Sequence, residues 1–356
     1  MKPQLILHIG HPKTGTTSIQ NTLSAARPWL LERGVLYPQT KLTKLNHRVL
    51  GPAIYDYTDD SVLNARLGGT KEKALQTSIR ECESVLEQVA KARPKTVILS
   101  SEGLFGSLLN ARPEKMREFV QRISNDPPRI LGYVRSPTLY YLSIQQQRLK
   151  GARLLKQPSK YRRLDAVAAL QDCLGTEVEL RAFQRDRLIN YDVVSDFAEW
   201  IGHPELVPQF SVEEENTSIS AEAMSVLHRL APDAAISDMA SLKAQRRLTK
   251  VVKRLDERIP EPTKPVLHEN VAAYITKLNT DLIGLRDQYD IHFKDIDYSL
   301  VGQDPGDDVP IIQSVEDACT VNKQRRDLLE ARALKALAGG RSRWQVWKDR
   351  LRKLRA

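Results

Sequence analysis

The chain begins with a short apolar run, which a glycine ends and a loop of glycine and hydroxyl residues follows. Residues 4–10, QLILHIG, predict a buried β-strand because the run is short and apolar. The next eight residues, HPKTGTTS, include one glycine and four hydroxyl residues, and residues 19–26 predict a helix. This strand–loop–helix unit constrains the fold strongly, because a strand buried on both faces needs neighbouring strands and covering helices.

Three further predicted strands alternate with predicted helices. Strands at 96–100 and 129–134 follow helical stretches near 71–92 and 113–124, and a strand at 177–183 precedes a helix at 193–202. This alternation indicates βαβ units and a mainly parallel sheet. The region 220–290 predicts helices interrupted by the proline-rich segment 260–265, with Ser220 as a helix N-cap.

The N-terminal loop has the composition of an anion site. The N–H groups of a first helical turn lack intrahelical partners and carry the positive end of the helix dipole, and here Lys13 adds a charge. Gly10 and Gly15 are spaced as in a Walker A loop, which then requires Lys-Ser/Thr. Thr16 and Thr17 occupy those positions, and the lysine precedes Gly15. The sequence therefore disfavours a magnesium–nucleoside triphosphate site.

Residues 8–20, HIGHPKTGTTSIQ, resemble the 5′-phosphosulfate loop of sulfotransferases that use 3′-phosphoadenosine-5′-phosphosulfate (PAPS), most closely the bacterial and carbohydrate branch. The resemblance implies an α/β, P-loop-containing nucleotide-hydrolase-like three-layer fold with a central, mainly parallel sheet, over residues 1–300. It also implies that six consecutive residues bind the 5′-phosphosulfate group. These are Lys13, Thr14, Gly15, Thr16, Thr17 and Ser18.

A second segment, residues 133–143 with the sequence YVRSPTLYYLS, carries a further resemblance to the same family. It predicts a strand that ends in Arg135, then Ser-Pro, then a helix that carries Ser143. An arginine at a strand end offers a planar fork of donors to a phosphate. The spacing of the two residues resembles the family's 3′-phosphate motif, which implies that both bind that group. The alternative for Arg135 is an ordinary surface ion pair.

Glu102 follows the predicted strand 96–100. In open α/β sheets ligands bind outside the carboxyl ends of the strands, where Arg135 and the phosphate loop are also expected. By resemblance to carbohydrate sulfotransferases, Glu102 is the expected base that removes the proton of the acceptor hydroxyl, with His11 as the alternative base. The structural alternative is that Glu102 caps the following turn or pairs with a lysine.

The resemblance implies an enzyme that transfers a sulfuryl group from PAPS to a hydroxyl or amine of a glycan or glycolipid and releases PAP. Lys13 would be catalytic as well as cofactor-binding, because it would stabilise charge on the leaving 5′-phosphate. The family's reaction needs no metal, and the scattered histidines have no metal-ligand spacing. The alternatives are a P-loop kinase or NTPase and a non-catalytic, membrane-associated protein that binds PAP or PAPS.

The positive charge of the chain is concentrated at its C-terminal end. Of the formal net charge of +10, residues 321–356 carry +9 and the preceding residues +1. Trp344, Trp347 and two leucines recur at helical spacing among Arg and Lys, so 341–356 predicts an amphipathic helix. This helix would bind an anionic membrane surface, dock on its own domain or mediate self-association. No nucleic-acid partner is predicted, because no recognised binding motif is present.

The remaining patterns concern compartment and boundaries. Three widely spaced cysteines without CxxC spacing, no apolar run long enough for a membrane span and no signal-peptide pattern predict a cytoplasmic protein, peripheral at the membrane if the tail binds lipid. A Pro- and Gly-containing linker at 301–313 is predicted before a helical extension at 314–356. The stretch 148–163 has seven Lys/Arg and no acidic residue, and predicts either an acceptor-binding edge or a solvated basic face.

Overall fold

The computed structural model describes residues 2–54, 67, 69–107, 113–151, 154–210, 218–231, 239–306 and 309–338. The chain divides into two compact units. The first unit comprises Met1–Ser136, Tyr161–Glu214 and Asp281–Lys294, and the second comprises Pro137–Lys160, Glu215–Thr280 and Asp295–Ala356. The predicted tail helix at 341–356 lies outside the described residues.

The first unit contains a five-stranded sheet whose strands are all parallel. The strands are β1 (Gln4–His8), β2 (Val35–Leu36), β3 (Thr96–Ser100), β4 (Arg129–Val134) and β5 (Val178–Ala182), in the spatial order β2-β3-β1-β4-β5. This arrangement confirms the predicted α/β class and the central parallel sheet. The two-residue strand β2 was not predicted, because so short an apolar pair has no detectable periodicity.

The helices, in chain order, are α1 (Thr16–Ala25), α2 (Arg27–Glu32), α3 (Gly51–Ile54), α4 (Lys71–Ala92), α5 (Leu104–Ser107), α6 (Pro113–Ile123), α7 (Pro137–Lys150), α8 (Arg163–Leu174), α9 (Val193–Trp200), α10 (Leu206–Phe210), α11 (Ala221–Leu230), α12 (Met239–Asp256), α13 (Glu269–Leu278), α14 (Asp281–Tyr289), α15 (Val315–Ala318) and α16 (Lys323–Ala338). Short 3₁₀ turns occupy Arg48–Leu50, Arg185–Arg187, Ile189–Tyr191 and Tyr298–Leu300.

Helices cover both faces of the sheet because successive strand residues point to opposite sides. One face packs against α1 and α9 through buried apolar side chains from each element. These include Ile6, Ile98, Leu131, Ile19, Leu23, Val194 and Phe197. On the other face Leu7 and Leu99 meet Met116 and Phe119 of α6 around a small cavity. The arrangement is consistent with a three-layer α/β fold, and it fixes α1 firmly at the end of β1.

The second unit is helical in the part that the structure describes, apart from an isolated bridge between Leu267 and Cys319. Its core joins apolar side chains of α7, α11, α12, α13, α15 and α16. They include Leu142, Val226, Leu227, Leu248, Val252, Ile275, Val315, Leu329 and Ala333. Leu329 and Ala333 are fully buried, so residues 323–338 pack into this unit as part of its core.

A buried ionic network ties α16 to two other helices of the second unit. The Arg325 guanidinium donates to Asp256 Oδ1 at 2.8 Å and to Glu222 Oε2 at 3.0 Å. It also donates to the carbonyl oxygens of Asp256, Ile259 and Pro260. The Ser220 hydroxyl accepts from Ala223 N, which confirms the predicted N-cap of α11. The three helix ends are thus held together by one cation.

The structure describes all three cysteines and most of the helical regions that the sequence predicts. Cys82, Cys173 and Cys319 are buried and form no disulfide. Of the helices in the described part of the chain, none combines the length and the apolar character that crossing a bilayer requires.

Candidate functional site

The candidate site lies at the carboxyl ends of the central strands of the first unit. The chain leaves β1 towards β2 on one side of the sheet and leaves β4 towards β5 on the other. In open α/β sheets the carboxyl ends of adjacent strands that diverge in this way form the crevice in which ligands bind. The loop 9–15 follows β1, Glu102 follows β3, and Arg135 follows β4, so all three predicted groups of the first unit lie at the same edge.

The loop between β1 and α1 has the backbone shape of an anion cradle. Lys13 and Gly15 have φ angles of 71° and 75°, in the left-handed region, while Thr14 between them does not. Such alternation turns successive N–H groups towards one side and makes a concave site for an anion. α1 begins at Thr16 with no acidic residue in its first turn, so the positive end of its dipole is not compensated there.

Two glycines allow the loop to close tightly. A Cβ atom on Gly10 would lie 2.0 Å from Thr16 Oγ1, and one on Gly15 would lie 2.5 Å from Val193 Cγ1. Neither distance is compatible with a side chain, and the positive φ of Gly15 adds a second reason for glycine there. The loop is therefore packed against both the start of α1 and the start of α9.

The hydroxyl residues of the loop divide into an inner and an outer set. Thr14 Oγ1 donates to the His11 carbonyl oxygen at 2.6 Å, so it braces the loop from within. Thr16 is buried with its hydroxyl towards Gly10, and among the described residues that hydroxyl has no hydrogen-bond partner. Thr17 is exposed and Lys13 and Ser18 are half-buried, so the side chains of these three residues are accessible from outside the loop.

Arg135 joins the second predicted motif to the phosphate loop. Its Nη1 donates to the Lys13 carbonyl oxygen at 3.3 Å, and its guanidinium carbon lies 5.8 Å from the centroid of the Phe183 ring. The first unit therefore brings Arg135 together with the loop. Ser143 lies on α7, which belongs to the second unit, and its part in 3′-phosphate binding stays a prediction.

Lys13 and Glu102 interact electrostatically. Burial lowers the pKa of Lys13, the Glu102 carboxylate raises it in part, and the Arg135 charge lowers it further. Burial raises the pKa of Glu102, while the charges of Arg48 and Lys13 lower it in part. A carboxyl group whose pKa is raised by burial and that interacts with a lysine at the carboxyl end of a sheet is a candidate general base.

A buried polar group behind the loop connects β1, β3 and α1. His8 Nδ1 lies 2.9 Å from Ser100 Oγ, and Gln20 Nε2 donates to the same oxygen at 3.0 Å. Burial lowers the pKa of His8 to about 3, so its ring is neutral in the folded protein. His8 therefore supports the loop from below and is a core residue, as expected for a histidine within a strand.

Two arginines near the site were not singled out from the sequence. Arg163 is buried at the start of α8. Burial, and after it the charges of Arg163 and Arg135, hold the pKa of His11 well below its ordinary value. The sequence placed Arg163 only within a basic stretch. The charge of Arg48 lowers the pKa of Glu102. Arg48 lies in a segment that carries no sequence motif, so only the three-dimensional structure reveals this interaction.

The predicted basic stretch divides between the two units. Residues 148–160 belong to the second unit and residues 161–163 to the first. Arg148 donates to the Leu154 carbonyl oxygen at 2.6 Å, and Arg162 pairs with Asp165 at 2.6 Å. Both contacts are local, and both interpretations of the stretch, as an acceptor-binding edge or as a solvated basic face, stay predictions.

In comparisons with known proteins, no protein-family model and no curated protein matches the chain. Within the described ranges, His, Cys, Asp and Glu side chains form no group of three that could hold a metal ion. The features of the chain that point to a function are its sequence motifs and the arrangement of the phosphate loop, Arg135 and Glu102.

Proposed function

We propose that this protein is a PAPS-dependent sulfotransferase with a P-loop-like fold, acting on a hydroxyl or amine of a glycan or glycolipid. The observation that carries the proposal is the hydrogen bond from Arg135 to the Lys13 carbonyl oxygen. It joins an arginine suited to a phosphate to a loop suited to a phosphosulfate, across the crevice between β1 and β4. Two anion-binding groups at one site fit a ligand with two separate anionic ends.

In the proposed reaction the acceptor oxygen attacks the sulfur atom of PAPS. The new O–S bond forms while the bond from sulfur to the 5′-phosphate oxygen breaks, and PAP leaves. The Glu102 carboxylate takes the acceptor proton, and Lys13 neutralises charge on the leaving phosphate oxygen. The left-handed backbone of Lys13 fits a functional role, because such strain is retained where the surrounding structure and the ligand require it.

The first test is nucleotide binding measured by isothermal titration calorimetry. We expect PAP to bind at least about tenfold more tightly than AMP, because Arg135 would add a charged hydrogen bond to the 3′-phosphate. Arg135→Ala should remove most of that preference. Arg129→Ala, at the opposite end of β4, is the matched control and should keep it. Equal affinities for PAP and AMP in the wild-type protein would contradict the 3′-phosphate assignment.

The second test is transfer of radiolabelled sulfate from PAPS in a screen of glycans and lipids. Lys13→Ala should abolish transfer, whereas Glu102→Gln should lose turnover while keeping PAP affinity. Magnesium-dependent ATP hydrolysis in a parallel assay, without sulfate transfer, would instead favour the kinase or NTPase alternative. PAP binding without transfer to any acceptor would favour a non-catalytic binding protein.

A further inference from the structure

The segment before the first 3₁₀ turn is fixed to the end of β3 by a pair of hydrogen bonds. His47 N donates to the Ser100 carbonyl oxygen at 2.9 Å, and Ser100 N donates to His47 Nδ1 at 3.0 Å. His47 Nε2 lies 3.0 Å from the Pro38 carbonyl oxygen, to which it donates, because Nδ1 already accepts. The ring is buried, and burial lowers its pKa to about 4, so this arrangement is that of a neutral histidine.

The same pairing brings the segment that carries Arg48 to the end of β3, from which the chain continues to Glu102. Arg48 follows His47 directly, and Glu102 lies two residues after Ser100, on a turn in which Phe105 N donates to the Glu102 carbonyl oxygen at 3.4 Å. Val49 and Leu50 are fully buried, whereas Arg48 is half-buried. Val49 and Leu50 thus anchor the turn in the core, and the charge of Arg48 acts on the Glu102 carboxylate, which follows the end of β3.

The charges around Glu102 come from two elements of the first unit. Arg48 on the 3₁₀ turn and Lys13 on the phosphate loop both favour the ionised carboxylate, and the effect of Arg48 is the larger. Lys13 also faces Arg135, and the neutral rings of His11 and His47 are buried close by. A bound phosphosulfate would pair with the Lys13 ammonium group and offset its effect on Glu102. Among the described residues, Arg48 would then be the remaining cation that lowers the pKa of Glu102.

We propose that Arg48 is a positioning residue that keeps the Glu102 carboxylate ionised while Lys13 is engaged by the phosphosulfate. This inference rests on the proposed function, which assigns Glu102 as the base. Burial alone would favour the protonated carboxyl group, which could not accept a proton from the acceptor hydroxyl. Arg48 has no direct part in bond making.

The test is a carbon-13 NMR titration of the protein labelled at the glutamate carboxyl carbon, with and without PAP. The Glu102 resonance is assigned by its loss in Glu102→Gln. In Arg48→Gln we expect the Glu102 midpoint to rise by about one pH unit, since an opposite charge at close range commonly lowers a carboxyl pKa by that much or more. Arg48→Lys should restore most of the wild-type midpoint. Arg80→Gln, an exposed charge loss on α4, should leave it unchanged.

An unchanged Glu102 midpoint in Arg48→Gln, with native circular dichroism and native PAP affinity, would overturn the inference but not the proposed function. Absence of PAP binding by the wild-type protein would overturn the proposed function, while the shift caused by Arg48→Gln would still be measurable. Arg48→Met keeps the aliphatic stem and gives the same comparison if Arg48→Gln does not fold.

Discussion

Lys13 combines a left-handed backbone with a half-buried ammonium group, and each feature is costly for an ordinary residue. A left-handed conformation costs a non-glycine residue about 1–2 kcal/mol. The sequence motif predicts which residues form the loop, but not the conformation of Lys13 or the inward direction of the Thr16 hydroxyl. Both depend on the packing of α1 and α9 against the sheet, which a single-sequence pattern does not contain.

Gly10→Ala tests the closure of the loop. We expect the free energy of unfolding to fall by about 1–3 kcal/mol, as for other overpacked sites, because the new Cβ would overlap the Thr16 hydroxyl. Chemical denaturation followed by circular dichroism measures the change. Gly151→Ala is the control, since a Cβ there meets backbone atoms no closer than 3.5 Å.

Adding Thr16→Ala to Gly10→Ala should recover part of the lost stability, because it removes the atoms at 2.0 and 2.9 Å from the new Cβ. A Gly10→Ala protein as stable as Gly151→Ala would contradict the close approach.

At the scale of elements, the strands and helices with long apolar patterns were predictable. The strands at 96–100 and 129–134 and the helix at 71–92 have the predicted bounds, and β1 ends two residues before the predicted end. β1, β3 and β4 were recognisable because their runs of buried residues are nearly continuous, as parallel strands covered on both faces require. β2 and the position of Arg48 depend on pairing between distant segments, which leaves no local signal.

The position of α16 also depends on contacts between segments that are distant in the sequence. The partners of Arg325 come from segments roughly 65 to 105 residues away in the sequence, so no local pattern could reveal them. The helix itself follows from its composition, whereas its burial against α11 and α12 follows from this network and from Leu329.

Arg325→Met tests the network. It should lower the free energy of unfolding by about 3–5 kcal/mol, because Glu222 and Asp256 would be left as buried carboxylates without their cation. Denaturant unfolding monitored by tryptophan fluorescence and circular dichroism measures this. Arg332→Met, an exposed change on the same helix, should have an effect below about 1 kcal/mol. Equal effects of the two substitutions would show that the network adds no stability.

At the scale of the whole molecule, three buried histidines of the first unit make stability depend on pH. Burial lowers the folded-state pKa of His8 to about 3 and of His47 to about 4, and it holds that of His11 well below 6.5. In the unfolded chain each takes up a proton near pH 6.5. Below that pH the unfolded state binds protons that the folded state does not, so stability is lost as pH falls from about 6.5 towards 4.

We expect the free energy of unfolding to fall by about 1.4 kcal/mol per pH unit for each of these histidines in this range. Glu102 acts in the opposite sense, because its raised pKa contributes stability that is lost as pH rises through the folded-state value. Denaturant titrations between pH 7.5 and about 4.5 measure the slope. His8→Gln should reduce this slope by the contribution of one histidine, about 1.4 kcal/mol per pH unit. A free energy of unfolding that does not change with pH below 6.5 would contradict the neutral state of these rings.

The division of the chain into interleaved segments has a consequence for its synthesis. The first unit takes its sheet from two separate segments and its last helix, α14, from a third that ends at Lys294. On the ribosome, where domains generally form in order from the N-terminus, this unit cannot be completed until most of the chain has emerged. α14 packs on α8 and on β5, so a shortened gene that stops after residue 214 would encode a unit with that surface uncovered.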